Sequence, residues 1–230
     1  MEHSQQIEAY LNTGLENTGF SLSQDQTALL VEYFEMVLTT TKSLNLISSK
    51  QELPVQVAVH LVDSILPLKF VVIPESSQIL DFGSGGGFPG IPWSMLLDKA
   101  TFTLAESTGK KARFLETVIE ILNLKNVTVI NTFLEPGKNP EHQTYDYITA
   151  RAVSDLEKLA DIAGPRIKPN GCFLAFKGPR ADEELKSAAK VLARNKLTLV
   201  NRFTFTLPVV ETTRCLLVFK KAENVSRETS

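Results

Sequence analysis

A chain of 230 residues, 43% hydrophobic and 22% charged, is large enough for one globular domain with a modest extension. Its two cysteines, Cys172 and Cys215, exclude a disulfide framework and offer no metal-ligand spacing, which fits a reducing compartment. The formal net charge of −2 excludes a uniformly basic nucleic-acid binder, but the charge is uneven. Residues 158–221 carry 13 Lys or Arg against 5 Asp or Glu, and the remainder carries 11 against 21. That asymmetry predicts one basic face, although any single lysine there is best read as a solvated helix position.

The segment Met1-Glu2-His3-Ser4-Gln5-Gln6 has neither the basic start nor the apolar stretch of a signal peptide. The most apolar stretch, 53–73, is interrupted by His60, Asp63, Lys69 and two prolines, so no membrane span is expected and the location is read as cytoplasmic. Residues 4–42 read as two amphipathic helices. Ile7, Tyr10, Leu11 and Leu15 recur at helical spacing in the first. Ser23 is the expected N-cap of the second, whose apolar face is Leu29, Leu30, Tyr33, Phe34, Val37 and Leu38. A third helix is predicted over 54–66, from Pro54 in its first turn to Pro67 beyond its end.

From residue 78 the pattern changes. Short apolar runs at 78–82, 101–105, 127–131, 145–149, 171–177, 197–206 and 213–220 predict strands, and helices are expected at 89–98, 109–124, 154–163 and 181–195. Strands separated by helices pair in parallel through right-handed crossovers. The last two runs are joined only by 207–212 and predict an antiparallel edge hairpin. The fold class is therefore α/β: a Rossmann-like class I methyltransferase sheet of seven mostly parallel strands, with an antiparallel C-terminal hairpin and an N-terminal helical extension. A nucleotide-binding oxidoreductase would continue with parallel units.

The strongest local signal is the run 81–90, DFGSGGGFPG, between a predicted strand and a predicted helix. Gly83, Gly85 and Gly87 let the chain turn tightly and a ligand lie against the backbone. The dinucleotide fingerprint would place its third glycine at 88, where this chain has Phe88, and that favours a methionine-type tail over a pyrophosphate. Glu106 ends the next strand, where an acid accepts hydrogen bonds from both ribose hydroxyls of a nucleoside. Leu134 and Glu135 follow the third strand, where adenine is flanked in such folds; Glu135 reads equally as a surface residue before the Pro136-Gly137 turn.

The runs GSGGGFPGIP, ESTGKKARFL, ARA at 150–152 and FKG at 176–178, with LNLI at 44–47 and HLVDS at 60–64, resemble the bacterial 16S rRNA guanine-N7 methyltransferases, once called glucose-inhibited division protein B. The resemblance covers about residues 44–220. It implies S-adenosyl-L-methionine as cofactor, one guanine of 16S rRNA as target, and cofactor contacts at Gly83, Phe88, Leu134, Glu135 and Arg151. It also implies a division into a helical extension (1–70) packed on the core, a methyltransferase domain (71–222) and a polar tail (223–230). Two departures stand out. The family's Arg before His60 is Val59 here, which weakens a phosphate grip by 59–64, and the loop before Tyr145 is longer than usual.

Guanine N7 bears no proton, so its methylation needs alignment and desolvation but no general base. The sequence agrees. Residues 147–152, YITARA, replace the Asn/Asp-Pro-Pro-aromatic loop that exocyclic amine methylation uses, and Cys172 and Cys215 fall inside predicted strands rather than at a loop, as carbon-5 methylation would need. Arg151 is expected to contact the donor carboxylate or a target phosphate. Lys177 is expected to orient guanine O6 or a phosphate, and reads equally as a solvated strand-end lysine. RNA contacts are expected among His60, Lys110, Lys111, Arg113 and Arg180; His60 taken alone is more often a satisfied helix residue. Phe88 and Trp93 are candidates to stack on a base, with Trp93 better read as core. Binding should be electrostatic and salt-sensitive, with the base extruded. The substrate is read as a small ribosomal subunit or assembly intermediate, the enzyme as a monomer without metal. Competing readings are a small-molecule methyltransferase of the same fold, a non-catalytic rRNA assembly factor and, more distantly, a dehydrogenase.

Overall fold

The computed structural model describes residues 2–139, 143–151 and 154–223. Ala152 of the ARA run and residues 224–230 of the expected tail lie outside the described residues.

Helix α1 (Glu2–Leu15) is followed by α2 (Gln24–Leu44). The N-cap expected at Ser23 is present and reciprocal: the Gln26 N–H donates to Ser23 Oγ at 3.2 Å and the Ser23 N–H to Gln26 Oε1 at 2.9 Å. The single helix expected over 54–66 is instead a broken run: α3 (Leu53–Val57), a π turn (Ala58–Val62), α4 (Asp63–Ile65) and a 3-10 turn (Leu66–Lys69). Within the π turn the Val59 and His60 carbonyls accept from Arg151, 2.9 and 3.5 Å away. A tertiary bond thus engages the widened turn, which local periodicity does not encode.

The rest is β1 (Gln78–Phe82), α5 (Gly90–Leu96), β2 (Thr101–Ala105), α6 (Gly109–Ile121), β3 (Val127–Ile130), β4 (Tyr145–Arg151), α7 (Leu156–Ala163), β5 (Ile167–Lys177), α8 (Ala181–Arg194), β6 (Leu197–Leu207) and β7 (Thr212–Lys221). The seven strands lie in the order β3-β2-β1-β4-β5-β7-β6. The first five pair in parallel, and β7 runs antiparallel to both β5 and β6. The order therefore reverses between β1 and β4, where open α/β sheets bind ligands at their carboxyl edge. Strand β5 starts earlier than expected. It reaches back to Ile167 across an irregularity that pairs Tyr145 with Ile167 but Tyr147 with Cys172.

Both faces of the sheet are buried, so the central strands read as continuous apolar runs. Along β5, Phe173 and Ala175 join Leu156, Leu159 and Val191 of α7 and α8 on one side. Leu174 and Phe176 face the other side, in one cluster with Ile7, Leu30, Phe34, Leu61 and Trp93. The N-terminal helices thus share their core with the sheet. Trp93 is fully buried, as the core reading expects, and its indole N–H donates to the Ser64 carbonyl at 2.6 Å. That bond ties α5 to the broken run. Cys215 is buried and Cys172 half-buried, both inside strands. No helix among the described residues is long and apolar enough to cross a membrane.

Candidate active site

The turn after β1 is shaped by backbone. Gly83, Gly85 and Gly87 all have positive φ, of 68°, 57° and 102°. Their roles differ. A Cβ on Gly85 would meet only the Gly83 carbonyl, at 3.8 Å, so the space above it is open for a ligand. A Cβ on Gly87 would strike Ile91 at 2.7 Å and the Tyr33 hydroxyl at 2.9 Å, so Gly87 serves close packing beneath the turn. Tyr33 closes this floor by donating to the Gly86 carbonyl at 2.6 Å.

Glu106, at the end of β2, is held against the turn. Its Oε2 accepts the Gly85 N–H at 2.9 Å and its Oε1 accepts the Thr108 N–H at 2.7 Å. Beside them lies a small cavity lined by Gly83, Ser107, Thr132, Phe133, Leu134 and Ile162, among others. Asp81 sits behind the turn, fully buried. Its Oδ2 accepts the Gly90 N–H at 3.2 Å while Oδ1 has no hydrogen-bond partner among the described residues. Burial pushes its carboxyl up to about 7.

A second cavity, of about 400 Å³, opens at the ends of β4 and β5 and is lined by Ser48, His60, Asp63, Arg151, Lys177 and Arg214, among others. Asp63 organises it. One carboxylate oxygen accepts from Arg151 at 3.3 Å, the other from Arg214 Nε at 3.1 Å. The Arg151 guanidinium also lies 5.1 Å from the centre of the Phe88 ring. Phe88 in turn packs on Tyr33, Phe34 and His60.

Comparison with known proteins fits this geometry. Residues 26–208 match the family of the rRNA small subunit methyltransferase G. The chain belongs to that family. It is 36% identical over 207 residues to the ribosomal RNA small subunit methyltransferase G of Desulforamulus reducens, covering 89% of this chain and 85% of that protein. It is 32% identical to the one of Bacillus subtilis, covering 94% and 91%. Among solved structures, a methyltransferase from Pyrococcus furiosus aligns with a TM-score of 0.57 at 14% identity, over 87% of this chain and all of that one. An S-adenosylmethionine-dependent methyltransferase from Aquifex aeolicus aligns with a TM-score of 0.54 at 17% identity, over 73% and 93%. These similarities bear out the class I methyltransferase fold and the family resemblance.

S-adenosylmethionine is the methyl donor of this family, and the residues present fit it. An open, Cβ-free space lies over Gly85, an acid stands beside it at Glu106, and an orphaned carboxylate oxygen lies behind the turn at Asp81. Gly83 and Leu134, both named from the sequence as cofactor candidates, line the small cavity together. Other candidates sit differently. The Glu135 side chain is 54% exposed and paired with Lys138, away from that cavity. The Phe88 side chain is buried in its aromatic cluster rather than displayed to a ligand. Lys177 is buried as well. It pairs with Glu184 at 2.6 Å and donates to the Ser154 carbonyl at 2.9 Å, so it is not the solvated strand-end lysine weighed above. Lys110, Arg113 and Arg180 are exposed and Lys111 half-exposed, on α6 and just before α8, and none is a lining residue of either cavity.

The basic surplus over 158–221 is also partly consumed internally. Lys168, Lys177, Arg194, Arg202 and Arg214 all pair with carboxylates. Sequence reasoning missed Tyr33, Asp63, Asp81 and Arg214 as site residues. Asp63 falls inside one of the runs that carried the resemblance, and Asp81 opens the glycine-rich run 81–90. Tyr33 looks like any apolar-face position, and Arg214 gives no local signal. Among the described residues no cluster of His, Cys, Asp or Glu is arranged to hold a metal ion.

Proposed function

We propose that the chain transfers a methyl group from S-adenosylmethionine to N7 of one guanine in 16S rRNA, acting as a monomer on a small ribosomal subunit or an assembly intermediate. The observation that carries this reading is the contact between the Gly85 N–H and Glu106. It sets the open space over Gly85 and a carboxylate side by side at the carboxyl edge of β1 and β2.

When bound, S-adenosylmethionine supplies a methyl group on a sulfonium sulfur, which a neutral nitrogen takes by in-line displacement. The chain's own part is alignment and the exclusion of water. Glu106 is placed to accept from ribose hydroxyls, Gly83 and Leu134 to border the adenine, and Gly85 to let the methionine tail cross the backbone. In the second cavity Arg151 is a strut rather than a free ligand: it is bonded to Val59, His60 and Asp63, which fixes the wall against which the base must sit. This cavity is poor in bases. Asp63 spends both oxygens on arginines, and burial and the Arg151 charge push the His60 imidazole down to about 3, so neither is built to remove a proton at neutral pH. That suits N7, which has a lone pair and no proton to lose. A methyltransferase of this fold that acts on a catechol hydroxyl would need a base or metal there to take up the hydroxyl proton. A decayed assembly factor would have no reason to keep the open glycine turn beside Glu106.

The test is to map methylation on small-subunit RNA from cells with and without the gene. One N7-methylguanine should vanish in its absence; an unchanged N7 pattern, or loss of an exocyclic methyl group instead, contradicts the reading.

A further inference from the structure

His60 sits on the π turn and lines the second cavity. The Arg151 amino group NH2 lies 3.4 Å from its Nδ1. A guanidinium has donors and no acceptor, so Nδ1 must accept and the ring proton resides on Nε2. No described residue accepts from that Nε2. The ring is also fixed in orientation, with Phe88 at 5.1 Å on one side and Arg151 along its edge. Because burial and the Arg151 charge hold the imidazole neutral, the tautomer does not change through the ordinary pH range. His60 therefore offers one fixed N–H donor in a cavity of a size suited to a nucleotide, within the ~300–1,000 Å³ of small-ligand sites. At the same wall, Arg214 spends only Nε on Asp63, and its two amino groups have no partner among the described residues.

These groups match one edge of one base. Beside its N7, guanine carries O6, an acceptor; adenine carries an amino group there, a donor. A fixed donor welcomes the first and opposes the second. A bond to O6 also leaves the N7 lone pair free. We propose that the second cavity receives the extruded target nucleotide, with His60 Nε2–H donating to guanine O6 and the Arg214 amino groups holding its phosphate. The proposal rests on the N7-methyltransferase reading and adds the means by which guanine is chosen.

The test uses small subunits reconstituted with guanine, hypoxanthine or 2-aminopurine at the mapped position. Hypoxanthine keeps O6 and N7; 2-aminopurine keeps N7 but lacks O6. The wild-type chain should methylate hypoxanthine within a few-fold of guanine, and 2-aminopurine about 10- to 100-fold more slowly. In His60→Leu the ratio of guanine to 2-aminopurine rates should fall towards one. In His60→Gln, which keeps a side-chain amide donor, it should stay at about ten. Both rates come from one preparation, so partial misfolding cancels. A His60→Leu ratio equal to wild type overturns the proposal. If that variant gives no product, a His60→Gln ratio near one overturns it. Arg214→Ala should flatten the dependence of log affinity on log salt by about one, and an unchanged slope removes the phosphate half. If the wild-type chain methylates no guanine at all, the underlying reading falls first, and this proposal with it.

Discussion

The two poles of the site are built in opposite ways. The pole proposed for the donor is made of backbone: a turn bent by glycines and a carboxylate that grips main-chain N–H groups at 2.9 and 2.7 Å. The cationic pole is made of side chains brought together from distant places. Arg151 reaches Asp63 across 88 positions and Arg214 reaches it across 151. A backbone site tolerates change in its neighbours but not a Cβ in its opening. A side-chain knot tolerates crowding but not the loss of its central charge. Substitutions should separate the two.

The largest effect is expected at Gly85. Gly85→Arg places a long side chain in the open space of the turn at a φ of 57°. Calorimetry should show no donor uptake, while urea unfolding shows a loss of only ~1–2 kcal/mol from the left-handed backbone. A variant that still binds donor would mean that the ligand lies elsewhere. At the other pole the balance reverses. Asp63→Ala leaves the buried Arg151 and the partly buried Arg214 without their shared carboxylate, and breaking such a pair costs ~3–5 kcal/mol. Urea unfolding should register that loss, with donor affinity changed far less. Equal losses of donor affinity in both variants would erase the distinction between the poles.

The same contrast governs what was legible in the sequence. The sheet, its terminal hairpin, the Ser23 cap and the glycine turn with an acid beside it were all readable, because each depends on local periodicity or on residues adjacent in the chain. Glu106 was readable because it ends the strand next to β1. The cationic pole was not. Arg151 looked like a free ligand for phosphate or carboxylate, since nothing near it in sequence announces Asp63. The helix over 54–66 looked regular because its apolar spacing is helical, yet the π turn is engaged by a guanidinium from β4. Lys177 looked like a strand-end lysine open to RNA, and only the fold brings Glu184 to it. The basic surplus of 158–221 was a true count, but its meaning depended on which carboxylates fold against it.

A smaller effect separates the poles by pH. Asp81, behind the donor turn, has its carboxyl raised to about 7 by burial. The unfolded chain releases that proton at lower pH, so stability drawn from the protonated carboxyl is lost as pH rises towards 7. His60, at the cationic pole, is lowered to about 3. Its contribution is complete above the ordinary histidine range and is lost as pH falls from there towards 3. The two slopes oppose each other in the wild-type chain. Thermal melts should find Asp81→Asn relatively more stable at about pH 8 than at about pH 5, and His60→Gln relatively more stable at about pH 5 than at about pH 8. Parallel shifts in both variants would refute the assignment. The smallest effect is expected outside both poles. Lys110→Ala or Arg113→Ala should leave folding and donor uptake alone and lower the salt slope of subunit binding by about one for each phosphate left without its cation.

The most direct measurement is a crystal structure of the chain with S-adenosylhomocysteine. The ribose hydroxyls should lie within hydrogen-bond distance of the Glu106 carboxylate, with the amino-acid tail crossing Gly83 and Gly85 and the sulfur facing the His60–Arg214 cavity. A ligand seated away from the glycine turn, or one that leaves Glu106 bonded only to Gly85 and Thr108, would contradict that arrangement.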